Sequence, residues 1–211
     1  MLSQVYQKSK SIKDFATCRL DGKSNYKESF GAAKLFREDS DGTFRTFCLL
    51  NKDYNENFNS QIKEEAEKSG IIFHILDRLE IENYLLIPRI YARIINRPLV
   101  EVEEKLKIIA DSLKGETLDR VLQEKILEYK KIDPQKNVAS ISQEARELID
   151  NAWGSLDGIL SIVPGKEMKA KIFDWIKSEY KISCSNKLVL RNMELSDIPD
   201  DLVNFLKDMS K

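Results

Sequence analysis

The sequence predicts an α/β protein in which helices cover a parallel sheet. Segments rich in β-branched and aromatic residues occur at 15–20, 43–50 and 71–76, and segments with apolar residues at helical spacing occur at 25–37 and 58–69. Gly70 stands where a glycine would end the second of these helices. Strands that alternate with helices in this way form parallel sheets through right-handed crossovers.

The pattern changes after Pro88, where the apolar residues keep helical spacing and the strand signal ends. We predict further helices at 89–97, 99–114, 117–131, 142–152 (with Ser142 as its N-cap), 166–180 and 199–208. The chain then divides into three parts. These are an α/β core at 1–88, a helical insertion at 89–162 whose helices up to residue 152 form a separate lobe, and a helical segment at 163–211 that packs back on the core.

The composition is typical of a helix-rich globular protein of the reducing cytoplasm. The 211 residues are 42% apolar and 33% charged, and no apolar run approaches the ~18 residues that a membrane span needs. The N-terminus lacks the apolar stretch of a signal peptide. Three cysteines without zinc-ligand spacing argue against a disulfide framework. A net charge of −1 gives no global attraction to nucleic acid, so DNA contact would depend on local basic patches.

Two glutamates follow the predicted strand at 71–76. Glu80 and Glu82 lie directly beyond the end of that strand, in the segment 77–88. In open α/β sheets, ligands and catalytic groups collect at this carboxyl edge. The two carboxylates suit a metal site if other acids converge there, and otherwise they are solvated side chains at an ordinary helix start. The spacing alone leaves both interpretations open.

Four stretches of the chain carry a resemblance to a known family. They are FCLLNKDY (47–54), LEIENYLLIP (79–88), VPGKEMKAKI (163–172) and the tail ISCSNKLVLRNMELSDIPDDLVNFL (182–206). In this order they resemble the Toprim nuclease domain and tail of OLD-family (overcoming lysogenization defect) ATP-dependent endonucleases. The resemblance extends from Asp21 to Met209, apart from the helical middle. It implies a Toprim-like, Rossmann-like sheet in a DNA-cutting defence system.

The resemblance also implies a set of site residues. The family's Asp-x-Asp pair falls on Asn51 and Asp53, its later acid on Glu82, and its basic residue on Lys166. Asp53 and Glu82 would then hold Mg²⁺ or Mn²⁺, with Glu80 as a supporting or alternative ligand. Lys166 would neutralise charge that develops on the phosphate, at the start of a helix that already favours anions.

The chain departs from the family at three points. Asn51 replaces an aspartate, so a charged ligand becomes a neutral amide. The glutamate that ends the family's first Toprim strand has no counterpart before residue 21, and no P-loop motif occurs. We therefore expect a partner: an upstream domain or separate subunit with a P-loop ATPase, or another chain of an oligomer. The strand at 15–20 or this partner would fill the open place in the sheet.

Three arginines recur every fourth residue after Pro88. Arg89, Arg93 and Arg97 would form one basic stripe on a helix next to the proposed site. Such a stripe could contact DNA phosphates, although a solvated helix face has the same pattern. His74, in contrast, lies within an apolar strand, and we interpret it as a hydrogen-bonded core histidine.

Three hypotheses follow. The first is a metal-dependent endonuclease module that works beside an ATPase, with catalysis weakened by Asn51. The second is a Toprim-like module that has lost catalysis and serves in binding or assembly of an ATPase complex. The third is an unrelated helical interaction protein whose motif matches are accidental.

Overall fold

The computed structural model of the chain describes residues 26–39, 45–52, 54 and 56–209. The predicted strand at 15–20 and the predicted ligand Asp53 lie outside these residues. The first elements in chain order are α1 (Tyr26–Asp39), β1 (Phe47–Leu50), α2 (Glu56–Lys68), β2 (Ile72–Ile75) and a 3₁₀ helix (Ile81–Leu85). Helices follow: α3 (Pro88–Ile95), α4 (Leu99–Asp111), α5 (Lys114–Ile132), α6 (Val138–Ala152), α7 (Leu156–Ile162), α8 (Gly165–Tyr180), α9 (Asn186–Arg191), a 3₁₀ turn (Leu195–Asp197) and α10 (Asp200–Met209).

The described sheet consists of β1 and β2, which pair in parallel with Phe47 opposite Ile72. Helix α2 makes the crossover between them and ends at Lys68, two residues before Gly70, whose φ of 68° is readily adopted by glycine. The α/β class and the parallel pairing of the second and third predicted strands are therefore confirmed.

One core joins the central segment to the helices on both sides of it. Its buried residues include Leu76, Tyr84, Tyr91, Leu106, Met168, Ile176, Leu202 and Phe205. Helices α3 and α4 thus pack in the same core as the segment 77–88 and the C-terminal helices. The packing does not follow the predicted boundary at residue 89, because these two helices bury their apolar faces against the 3₁₀ helix, α7, α8 and α9.

The α5–α6 hairpin has a small core of its own. Val121, Ala145 and Ile149 form this cluster, which is separate from the main core. Of the residues 89–152 that were predicted to form a separate lobe, the hairpin at 114–152 is the part with a core cluster of its own.

Several helix ends differ from the prediction. Helix α3 stops at Ile95 because Asn96 is left-handed, with a φ of 51°. Helix α6 starts four residues before Ser142, and the Asn137 side chain caps it by accepting a hydrogen bond of 2.8 Å from the Ala139 N–H. The assignment of Ser142 as the N-cap was wrong. The segment after β2 forms a 3₁₀ helix, and α7 and α9 were not predicted.

The longest described helix is α5, with 19 residues. It carries lysine, glutamate or aspartate on every turn. Within the described ranges, no helix combines the length and the apolar character that a bilayer crossing requires.

Candidate functional site

Asn83 joins the two segments that carry most of the predicted site residues. Its side chain is fully buried. The Oδ1 atom accepts a hydrogen bond of 2.9 Å from the Glu80 N–H. The Nδ2 group donates to the carbonyl oxygens of Leu160 and Val163, both at 2.8 Å. One amide side chain therefore ties the start of the 3₁₀ helix to the turn that precedes Lys166, with both of its N–H groups and its oxygen satisfied.

Gly165 allows this junction to close. A Cβ atom at residue 165 would lie 2.5 Å from Asn83 Oδ1 and 3.0 Å from the Asn83 backbone nitrogen. A side chain there would push the first turn of α8 away from the 3₁₀ helix. The requirement for glycine in the Pro-Gly-Lys-Glu string is thus a requirement for close backbone approach.

Glu80 closes the same junction from the other side. Its Oε2 atom accepts a hydrogen bond of 3.2 Å from the Lys166 N–H, at the beginning of α8. Burial raises the pKa of the Glu80 carboxyl, and the carboxylates of Glu82 and Glu167 add to the rise. The Lys166 N–H and ammonium act in the opposite direction. Glu80 is therefore a half-buried carboxyl group that binds its proton more tightly than an exposed glutamate does.

Asn51 lies directly after β1 and reaches the same 3₁₀ helix. Its Oδ1 atom accepts a hydrogen bond of 3.2 Å from the Ile81 N–H. Helix starts leave such N–H groups without intrahelical partners, so Asn51 satisfies one of them. Asn51 thus serves as a cap of the 3₁₀ helix in this structure.

Glu82 and the Lys166 side chain remain available for a ligand. The Glu82 carboxylate is partly exposed and makes no hydrogen bond or ion pair with another described residue. The Lys166 side chain is exposed, and its ammonium likewise forms neither contact within the described residues. Asn51 and Glu80 are therefore committed to holding the backbone, whereas Glu82 and Lys166 are free to contact a substrate or an ion.

Glu167 is a site residue that the sequence analysis missed. Arg120, from α5, donates to Glu167 Oε1 at 2.7 Å and to Glu116 at 2.6 Å. Although burial opposes it, the hydrogen bond from Arg120 lowers the pKa of the Glu167 carboxyl. The Oε2 atom of Glu167 is buried without a hydrogen-bond partner among the described residues. The sequence signal that could have identified Glu167 is its position directly after Lys166.

The described residues alone do not enclose a metal ion. Within the described part of the chain, no group of three or more histidine, cysteine, aspartate or glutamate side chains could hold one. Magnesium, however, commonly takes one or two carboxylates and keeps several waters. The free carboxylate of Glu82 fits one such ligand, and the second predicted ligand, Asp53, lies outside the described residues.

The three arginines do not form one stripe. The α3 helix ends before Arg97, whose guanidinium carbon lies 5.9 Å from the Tyr180 ring centre. Arg93 donates to the Asn192 carbonyl at 2.8 Å, lies 3.0 Å from Glu194 and pairs with the buried carboxylate of Asp197. Arg89 is exposed, and its guanidinium has no partner among the described residues.

A second polar cluster surrounds His74, which was predicted to be a hydrogen-bonded core histidine. The residue is half-buried, and its Nε2 atom has no hydrogen-bond partner among the described residues. The imidazole stacks on Phe205 of α10 at 5.0 Å, and its Nε2 atom lies 3.8 Å from Asp201 Oδ2. Tyr84 donates a hydrogen bond to the same carboxylate oxygen, and the Asp77 N–H donates at 3.3 Å. Although burial opposes it, contacts with His74, Tyr84 and backbone N–H groups lower the pKa of Asp201 to about 2.

The fold and the site together define an α/β protein with polar side chains gathered where two parallel strands end. No family model matches the chain, and neither the curated proteins nor the solved structures contain a significant match to it.

Proposed function

We propose that the chain is a metal-dependent nuclease module of the OLD-like Toprim class, which hydrolyses DNA phosphodiesters beside a P-loop ATPase. One observation carries the proposal. Asn51, Glu80, Glu82 and Lys166 come from three distant stretches of sequence and meet beyond the ends of β1 and β2. That edge is where open α/β sheets place their ligands.

The residues divide into two roles. Asp53 and Glu82 hold the divalent cation, Mg²⁺ or Mn²⁺, and Lys166 faces the phosphate. When bound, the cation polarises a phosphoryl oxygen and lowers the pKa of the attacking water. Asn51 and Glu80 hold the 3₁₀ helix and the start of α8 by backbone hydrogen bonds, so that the backbone of Glu82 stays close to that of Lys166. Arg89 supplies a DNA backbone contact, because its guanidinium is the exposed and uncommitted one of the three arginines.

A second candidate is a Toprim-like assembly module without catalysis. It is favoured by Asn51, whose amide oxygen already caps the 3₁₀ helix at the position where the family has an aspartate. A neutral amide that is used in this way adds little to cation binding. On this hypothesis the chain keeps the shape of the site and contributes a surface to an ATPase complex.

Titration calorimetry with manganese tests the metal site. We expect weak binding by the natural chain, loss of binding in Glu82→Gln, and tighter binding in Asn51→Asp. An aspartate can accept from the Ile81 N–H with one oxygen and offer the other to the cation, and it adds a negative charge. Glu104→Gln, an exposed change on α4, is the matched control and should bind as the natural chain does. Equal binding by the natural chain and Asn51→Asp would exclude residue 51 as a ligand.

A plasmid-nicking assay with magnesium or manganese tests the activity. We expect negligible cutting by the isolated chain and clear cutting when its ATPase partner is present, because the family's first glutamate and first aspartate are both missing here. Asp53→Ala and Lys166→Ala should each abolish the cutting. Robust cutting by the isolated chain that Asp53→Ala abolishes would refute the need for a partner while supporting the site.

The two candidates give different results in the same experiments. The assembly module would bind the ATPase in a co-purification assay, whether or not Asp53 is replaced. It would neither bind manganese at this site nor cut DNA in the complete complex. The nuclease module requires both.

A further inference from the structure

We propose that Asn83 is the positioning residue of this site, and that it sets Glu82 and the cation it holds against Lys166. The inference rests on the proposed function, because a cation and a phosphate are what Glu82 and Lys166 would bind. Asn83 itself is buried and cannot touch either ligand. It acts through the two segments that it joins.

The hydrogen bonds of Asn83 fix the separation of these segments. Its Nδ2 group binds the carbonyl oxygens of Leu160 and Val163, which lie 77 and 80 residues away in sequence. Its Oδ1 atom holds the Glu80 N–H at 2.9 Å. Because the side chain is fully buried, water does not compete for these bonds.

The site residues are covalently close to this junction on both sides. Glu82 directly precedes Asn83, and Lys166 directly follows Gly165, whose backbone lies against the Asn83 amide. The hydrogen bond between Glu80 Oε2 and the Lys166 N–H spans the same gap. A second link, from the Leu79 N–H to the Ser161 carbonyl at 2.8 Å, holds the segments farther from Lys166. Moving Asn83 would therefore displace Lys166 from Glu80 and Glu82 while the segments stay connected.

Two variants test the role. Gly165→Ala places a Cβ atom 2.5 Å from Asn83 Oδ1 and so separates the junction without removing a polar group. Asn83→Ser removes the amide itself. Ile62→Ala is the control, because Ile62 is buried in the cluster between α1, α2 and the sheet, which contains no residue of 79–83 or 160–166. Every variant is measured at a temperature where circular dichroism shows it folded.

Two readouts are needed for each variant. Manganese calorimetry should show affinity about 10- to 100-fold lower in Gly165→Ala and in Asn83→Ser, the usual effect of losing a group that orients a metal ligand. Proton NMR should show the amide signals of Glu80 and Lys166 moving upfield, because the hydrogen bonds of both N–H groups lengthen when the junction opens. Ile62→Ala should change neither value, although it lowers stability.

The outcomes separate this inference from the proposed function. If Gly165→Ala is folded and matches Ile62→Ala in both readouts, Asn83 has no positioning role. If the natural chain binds no manganese, the proposed function fails, and the amide signals of Glu80 and Lys166 alone then decide whether Asn83 positions the junction. Should Asn83→Ser not fold, Gly165→Ala decides the question in the same way.

Discussion

Replacing Leu106 by alanine is expected to lower the free energy of unfolding by about 2–5 kcal/mol. Leu106 is fully buried in the core that also contains Leu76, Tyr84, Met168 and Leu202. A cavity at residue 106 would therefore weaken the contact between the central segment, the helices after it and the C-terminal helices at once. Chemical denaturation followed by circular dichroism measures the change.

The control for this experiment lies on the same helix. Ile108 is 63% exposed, whereas Leu106 is 0% exposed. Ile108→Ala should change the stability by no more than about 0.5 kcal/mol. A small effect of Leu106→Ala, or equal effects of the two changes, would show that α4 does not belong to the shared core.

The second large effect is expected at Asp201. Asp201→Asn should destabilise the protein by roughly 2 kcal/mol at neutral pH, because the native contacts lower the pKa of Asp201 to about 2 from its ordinary 3.8. These contacts tie α10 to β2 and to the central segment through His74 and Tyr84. Asp200→Asn changes the adjacent, exposed residue in the same helical turn and should cost much less.

The stability difference between the natural chain and Asp201→Asn should depend on pH, because the pKa of Asp201 is lowered in the folded protein. A carboxyl whose folded pKa is depressed stabilises the protein above its unfolded pKa and loses that contribution as the pH falls through the folded value. The natural chain should therefore approach the stability of Asp201→Asn between about pH 4 and pH 2 and exceed it above that range. A stability difference that stays constant from pH 7 to pH 2 would contradict the assignment.

The helices of the main core were predictable because burial repeats along them. In the predicted helix 99–114, the apolar pattern consists of Val102, Leu106, Ile109 and Leu113. Three of the four are buried in the structure, and Ile109 is half-buried. The crossover helix and Gly70 were predictable for the same kind of reason, since both are local features of the chain. Local periodicity thus recovers the elements that pack by one apolar face.

The features that were not predicted depend on distant contacts or competing local choices. The Tyr84–Asp201 hydrogen bond connects residues 117 positions apart. The sequence around His74 therefore gives no sign that Asp201 lies beside it. Asn137 and Ser142 are both acceptable N-caps, and the buried side chain of Ile141 favours a helix that begins after the earlier one. The main core also crosses the predicted boundary at residue 89, because tertiary packing decides which helices share a core, and sequence order does not.

The location of the candidate site could be predicted from the sequence, whereas the roles of its residues could be predicted only in part. Resemblance and strand position brought Asn51, Glu80, Glu82 and Lys166 to one edge of the sheet. They did not reveal that Asn51 and Glu80 accept backbone hydrogen bonds, because those bonds depend on the 3₁₀ helix and on the turn at Gly165. They also did not identify Asn83, because an asparagine that follows two glutamates gives no sign in the sequence that it is buried.

The separate packing of the α5–α6 hairpin has a practical consequence for experiments on this protein. The loop at 133–137 lies at the far end of that hairpin, and Gln135 there is exposed. Arg120, which binds Glu167 beside the junction, lies about 18 Å of helix before the end of α5, so a fluorophore or an affinity handle attached at Gln135 would be well separated from that contact. A pair of labels at Gln135 and on α10 would thus report on motion of the hairpin against the body of the protein while the junction at Asn83 stays undisturbed.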